Sequence, residues 1–382
     1  MRHFILFLIL GFITSCASVE KETGQEGLLL VPASFRDLQG WDKDRQQDAL
    51  IALERSCARI LKRAPTESFG APPVGGTYGD WQPACRALPI STTSEQARDF
   101  FERWFTPWQA FAEDGKKEGL FTGYYEPELH GSRIKTGTYI YPLYKKPDDL
   151  VMVDLGAFRE ELKGQRIAGR VHDSYLKPYE DRQKISEGHW PHNDKVLVWV
   201  DNPVDSFFLH IQGSGRVSFK DGSSIHVGYD GQNGHIYYAI GRELIKRGIL
   251  DKDEVSLQSI RHWLETHPKE APELMNLNKS YVFFKEIENK APLGGENVPL
   301  TPERSLAIDR SKIPYGIPVW VDIEPPVENT KPLRQMMVAQ DTGGAIQGAV
   351  RGDFFWGHGE KAAYFAGHMK AKGQYWFLLP KK

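Results

Sequence analysis

Residues 338–357 read VAQDTGGAIQGAVRGDFFWG: an apolar run, a glycine-rich loop, and a second apolar run, with Asp341 and Asp353 at the loop's two edges. The apolar runs read as strands and the glycines as the turn between them, so the carboxylates stand at strand ends, where a rigid sheet can present functional groups. Working outward, a third aspartate has the same setting. Asp309 closes the strand-like SLAID (305–309) and precedes a turn with Pro314 and Gly316. One aspartate beside a glycine is ordinarily a turn cap. Three at matching positions with apolar flanks make Asp309, Asp341 and Asp353 the candidate catalytic carboxyls.

The texture around this stretch is that of a β protein. Short alternating segments with Gly and Pro punctuation recur: GLFTGYYEPEL (119–129), GTYIYPLYKKP (137–147), KVLVWVD (195–201), SFFLHIQGSGRVSF (206–219), SSIHVGYDG (223–231), KSYVFFKEI (279–287) and GQYWFLLP (373–380). The 36 glycines, 24 prolines and 12% aromatic residues fit many strands and turns. Helical spacing predicts helices over 44–63, over 94–111 with Ser94 as N-cap, over 235–248 ending at Gly248, and over 254–268. Residues 17–40 read as a tether and extended lead-in. No internal repeat or low-complexity tract is present.

The N-terminus sets the compartment. MRHFILFLILGFITSC has a basic start and an apolar stretch from Phe4 to Ile13, short for a bilayer span, then small residues before Cys16. Ile13-Thr14-Ser15-Cys16 resembles a bacterial lipobox, which makes Cys16 the lipid anchor of an exported protein. Ala17 stands where an aspartate would resemble an inner-membrane retention signal, so the expected location is the outer membrane, facing the periplasm. Cys57 and Cys85 then form an even pair, compatible with a disulfide or with two buried thiols. No Cys-x-x-Cys or His-Glu-x-x-His run is present, so neither metal nor cofactor is expected. A net charge of −2 gives no electrostatic reason to expect nucleic acid.

Four motifs taken together, FTGYYEP (121–127), HIQGSGRV (210–217), AIDRSKIPYGIPVWVD (307–322) and the opening stretch, resemble the membrane-bound lytic murein transglycosylase A family with its C-terminal three-aspartate module. The resemblance spans residues 119–380. It implies a mainly β fold with peripheral helices: a double-psi β-barrel with a smaller inserted β-rich domain and a cleft between them. Residues 1–16 would be the signal, 17–140 the helices and first part of the barrel, 141–281 the insert, and 282–382 the rest of the barrel. The implied reaction is cleavage of the β-1,4 bond between N-acetylmuramic acid and N-acetylglucosamine, leaving 1,6-anhydromuramoyl ends and consuming peptidoglycan glycan strands. Complexes of cell-wall synthesis and hydrolysis are the implied protein partners. A hydrolase on the same barrel and a non-catalytic glycan-binding lipoprotein are the alternatives.

That chemistry needs one acid that later serves as base, since the sugar's own C6 hydroxyl attacks. The match places this role on Asp353, whose neighbours Phe354, Phe355 and Trp356 would favour the neutral acid. For glycan contact the candidates are Thr122, Tyr124, Tyr125 and Glu126 in the first motif, and Gln212, Ser214 and Arg216 in the second.

Overall fold

The computed structural model describes residues 27–381 apart from 71–72, 90–92, 163–164, 253 and 289–290, so the signal and Cys16 lie outside the described residues. Among the described residues no helix is long and apolar enough to cross a membrane. The chain enters through strands β1 (Leu28–Pro32), β2 (Phe105–Ala112) and β3 (Gly119–Glu126). It continues through β4 (Glu128–Ser132), β5 (Tyr141–Tyr144), β6 (Val151–Asp154), β7 (Arg166–His172), β8 (Tyr175–Pro178), β9 (Val196–Val200), β10 (Ser214–Phe219), β11 (Ser224–Gln232) and β12 (Val282–Ile287). It ends in β13 (Ser305–Ile308), β14 (Pro318–Ile323), β15 (Leu333–Asp341), β16 (Arg351–His358) and β17 (Lys370–Pro380).

The first and last groups share one sheet in the order β1-β2-β17-β14-β15-β13-β16-β3, and β3 pairs back onto β17, closing six of the strands into a ring. The long strand β17 takes part in three pairings because one edge faces β14 while the other faces β3 over 370–373 and β2 over 376–380. At the seam Gly373 is required: a Cβ there would meet the Phe121 ring at 2.8 Å and Ile323 at 2.9 Å. The ring is filled by Phe121, Phe354, Tyr375 and Phe377, all fully buried, each worth roughly 2–3 kcal/mol of burial, while Trp320 faces outward onto Trp41.

Residues 128–287 build a second sheet, β12-β11-β10-β4-β9-β5, and a separate three-stranded sheet, β6-β7-β8. The six-stranded sheet thus takes in β4 and β12, which lie outside the 141–281 stretch read from the sequence as the insert. The helices Gln46–Ile60 and Tyr78–Arg86 flank the ring and are joined by a disulfide between Cys57 and Cys85, with Cα atoms 5.2 Å apart. The open question of the two cysteines is thereby answered.

Several local expectations are corrected. HIQ in 206–219 is not strand: Pro203–Gln212 is a helix, started by Asn202, whose side chain accepts from the Val204 and Asp205 amides, and stopped by Gly213 at φ 77°. Its run of apolar residues carries neither period clearly, so only the Asn-Pro start and Gly stop signalled it. The helix expected over 94–111 ends at Trp104, and Phe105 onward is β2, because Pro107 cannot continue a helix. Its N-cap is Thr93, not Ser94. Of 235–248 only Gly241–Lys246 is helical. The lead-in over 17–40 contains β1, and the helices Tyr78–Arg86 and Glu360–His368 were not expected. Pro83 inside the first of these hides it from a periodicity reading.

Candidate active site

The ring's hydrogen-bond register puts three candidate positions in one row. Ala307 on β13 pairs with Asp341 on β15 to one side and with Asp353 on β16 to the other, and Asp353 pairs with Thr122 on β3. Two strand spacings separate the backbones of the two aspartates, about 10 Å. Asp353 is the third residue of its strand rather than its first, and alternation gives Arg351, Asp353 and Phe355 one face and Phe354 and Trp356 the other. Of the three aromatic neighbours, therefore, Phe355 flanks the carboxyl, packing on Tyr124 at 5.1 Å, while Phe354 and Trp356 lie against each other at 4.6 Å in the core.

The two carboxyls are held differently. Asp341 accepts three donors: the Tyr124 hydroxyl on Oδ2 at 2.8 Å, and the Gly295 and Thr342 amides on Oδ1 at 2.7 and 2.8 Å. Burial nonetheless pushes its pKa up to about 6; the three donors oppose this and the Asp353 charge adds to it. Asp353 accepts one donor, the Thr122 hydroxyl on Oδ1 at 2.6 Å, and its Oδ2 has no donor among the described residues. Burial raises its pKa too, against the Arg351 guanidinium and the Thr122 hydroxyl. Arg351 in turn donates to Thr122 Oγ1 at 2.8 Å, so Thr122 receives one hydrogen bond and passes one on. Burial and the Asp341 charge push the Tyr124 phenol well above its ordinary range, keeping it a donor.

Asp309 has a separate setting. It is 8% exposed, and Oδ1 accepts from the Ser311 amide and hydroxyl while Oδ2 accepts from the Gly348 amide at 2.8 Å. It ties the turn after β13 to the glycine-rich loop. Tyr125 is buried, and its amide donates to Gln212 Oε1 at 3.3 Å. Glu126 is 3% exposed, with Oε1 2.8 Å from His226 Nδ1. Ser214 and Arg216 follow on β10, where Arg216 donates its amide to Pro127 O at 2.9 Å, which places this motif against the end of β3. The structure thus pairs Asp341 with Tyr124 and Asp353 with Thr122, sets Gln212 beside β3, and buries Tyr125 and Glu126.

Sequence reading missed Arg351, Gly295, Thr342 and Tyr315. Arg351 was accessible, two residues before Asp353 and so on its face. Gly295 lies 46 residues from Asp341 and carries no local signal. The Tyr315 hydroxyl is buried beside Thr342, and burial with the Asp341 charge raises its pKa to about 12. Among the described residues no group of three or more His, Cys, Asp or Glu side chains is arranged to hold a metal.

A buried carboxyl with a raised pKa and a free oxygen, beside a second carboxyl held by donors, is an arrangement suited to general acid–base cleavage of a glycosidic bond. The fold and the site together fit a carbohydrate-cleaving enzyme. The comparisons agree. Residues 120–285 match the MltA specific insert domain and residues 304–379 the 3D domain. Membrane-bound lytic murein transglycosylase A of Escherichia coli K12 is 34% identical over 278 residues, 71% of this chain and 68% of that protein. A membrane-bound lytic murein transglycosylase from Agrobacterium tumefaciens has a crystal structure that covers 92% of this chain and 97% of its own, at TM-score 0.81 and 32% identity. Escherichia coli MltA with bound chitohexaose covers 94% and 96%, at TM-score 0.66 and 26% identity. The chain belongs to the membrane-bound lytic murein transglycosylase A family and is an enzyme of that class.

Proposed function

We propose that the protein cleaves the β-1,4 bond between N-acetylmuramic acid and N-acetylglucosamine in peptidoglycan and forms 1,6-anhydromuramoyl ends, with Asp353 as acid and then base. The observation that carries the assignment is the asymmetry of the two carboxyls: Asp353 has a free Oδ2, and Asp341 has three donors. Asp353 gives its proton to the glycosidic oxygen as the C1–O bond breaks. The C6 hydroxyl oxygen of the same sugar bonds to C1, and its proton passes to Asp353, which restores the acid. The attacking group is already tethered to the reacting carbon, so no protein nucleophile is needed. Asp341, ionised, stabilises the positive charge that builds on the sugar ring. Asp309 holds the glycine-rich loop in place and does not touch the sugar.

The closed ring of six strands is read as a double-psi barrel, and the glycan as lying in a groove between it and the six-stranded sheet, past Thr122, Tyr124, Gln212 and Ser214. Binding of chitohexaose by Escherichia coli MltA supports a glycan ligand. Cys16 anchors the protein by lipid to the outer membrane, facing the periplasm, in keeping with the membrane-bound relatives.

The test is digestion of purified murein by Asp353→Asn and by the unmodified protein, with products weighed by mass spectrometry. Anhydro ends, lighter than reducing ends by one water, are expected from the unmodified protein and absent with Asp353→Asn. Reducing ends would make it a hydrolase, and near-normal turnover by the variant would remove Asp353 from the mechanism.

A further inference from the structure

A buried polar chain outside the site ends on Asp341. Glu296 is 7% exposed, and its Oε2 accepts from the Ser56 hydroxyl at 2.6 Å, on the helix Gln46–Ile60. Gln340, fully buried, donates to Ser56 Oγ at 2.9 Å and to Ala52 O at 2.8 Å, and its Oε1 accepts from Ser305 Oγ at 2.6 Å. Two short segments then run side by side: the Glu296 amide donates to Gln340 O at 3.0 Å, and the Gly295 amide donates to Asp341 Oδ1 at 2.7 Å.

The approach is too close for side chains. A Cβ on Gly294 would sit 2.5 Å from Gln340 O, and one on Gly295 would sit 2.3 Å from Tyr315 Oη. Asn297, two residues on, takes φ 60°, a left-handed conformation that neighbouring structure must enforce. Only the Glu296 side chain reaches out of this turn into a buried partner on the N-terminal helix.

We propose that Glu296 is a positioning residue. Pinned to Ser56, it holds the turn 294–297 so that the Gly295 amide stays on Asp341 and sets the ionisation of that carboxylate. The inference rests on the reading of Asp341 as the charged partner of the acid. Besides the Gly295 amide, the groups that act on Asp341 are Tyr124, the Thr342 amide and Asp353; Asp341, Arg310 and Arg166 act on Tyr315, and Arg59 acts on Glu296. None of these replaces the Gly295 amide if the turn relaxes.

The experiment compares Glu296→Leu, Glu296→Gln and Ser56→Ala with the unmodified protein on purified murein, reading the pH dependence of kcat and KM separately, with circular dichroism as a check of folding. Glu296→Leu is expected to shift the acid limb of kcat upward by about one pH unit and to lower kcat about tenfold, leaving KM within about twofold. Glu296→Gln, which still accepts from Ser56, restores the limb, and Ser56→Ala shifts it part of the way. Folded Glu296→Leu with an unshifted limb overturns the proposal, as does Glu296→Gln behaving like Glu296→Leu. Should Glu296→Leu fail to fold, Ser56→Ala decides alone by its limb. If the unmodified protein releases no anhydro ends, the reading of the site itself falls, and that outcome is visible before any variant is measured.

Discussion

The Tyr124 hydroxyl donates to Asp341 Oδ2 at 2.8 Å, and Thr122, two residues earlier on the same strand and face, donates to Asp353 Oδ1 at 2.6 Å. One strand, β3, therefore serves both carboxyls, which belong to a module more than 200 residues further along the chain. Tyr124→Phe removes a donor that stabilises the charged form of Asp341. Its pKa then rises above about 6, and the acid limb of the rate profile moves up with it. A loss of about tenfold in kcat near pH 6 is expected, with the rate partly recovered at higher pH. A profile superimposable on the unmodified one would show that Asp341 need not be charged.

Thr122→Val acts on the other limb. Asp353 must be protonated to begin, so activity is lost as pH rises through its raised pKa. The Thr122 hydrogen bond favours the charged form, and its removal raises that pKa further. The alkaline limb should move to higher pH. Arg351 loses its contact with the hydroxyl at the same time, and its charge next to Asp353 pulls in the opposite direction, so a downward shift of the limb would mean that Arg351 turns onto the carboxyl.

What could be read from the sequence followed from the range of the forces involved. Asp341 and Asp353 stood out because strand, glycine loop and strand are local patterns, and the helix Gln46–Ile60 because its buried face, Ala49, Leu50, Leu53, Cys57 and Ile60, repeats at helical spacing. The helix Pro203–Gln212 was read as strand because its apolar run is buried nearly all round, which removes the period that separates helix from strand. Gly295 and Glu296 were not legible because their role depends on a turn meeting the end of β15 in space. Nor was the burial of Tyr125 and Glu126: Tyr125 lies on the opposite side of β3 from the half-buried Thr122 and Tyr124, and Glu126, on their side, meets His226.

The disulfide gives a prediction independent of the site. Cys57 and Cys85 close a loop across a sequence separation of 28. Constraining the unfolded chain by a loop of that size is worth about 3–4 kcal/mol. The double variant Cys57→Ser, Cys85→Ser should show a lower urea midpoint by that amount of free energy, yet cleave murein at an unchanged rate at 25 °C, where it remains folded. A rate loss greater than the unfolded fraction would show that the helix Gln46–Ile60 transmits the break to Asp341.

Glu296 adds a pH dependence of stability whose sign is fixed by burial. Its carboxyl is nearly enclosed, and burial raises its pKa from 4.5 to about 7 against the opposing pull of Ser56 and Arg59. The folded protein therefore holds this proton more tightly than the unfolded chain does. Stability from this group is complete below pH 4.5, falls as pH rises toward 7, and stays low above it. Two to three pKa units correspond to about 3 kcal/mol. Glu296→Gln keeps an acceptor for Ser56 without the charge, so the variant should be the more stable protein at pH 8 and nearly equal to the unmodified one at pH 4.5. Urea unfolding at the two pH values measures both, and equal slopes against pH in the two proteins would show that Glu296 is ionised at no cost in the fold.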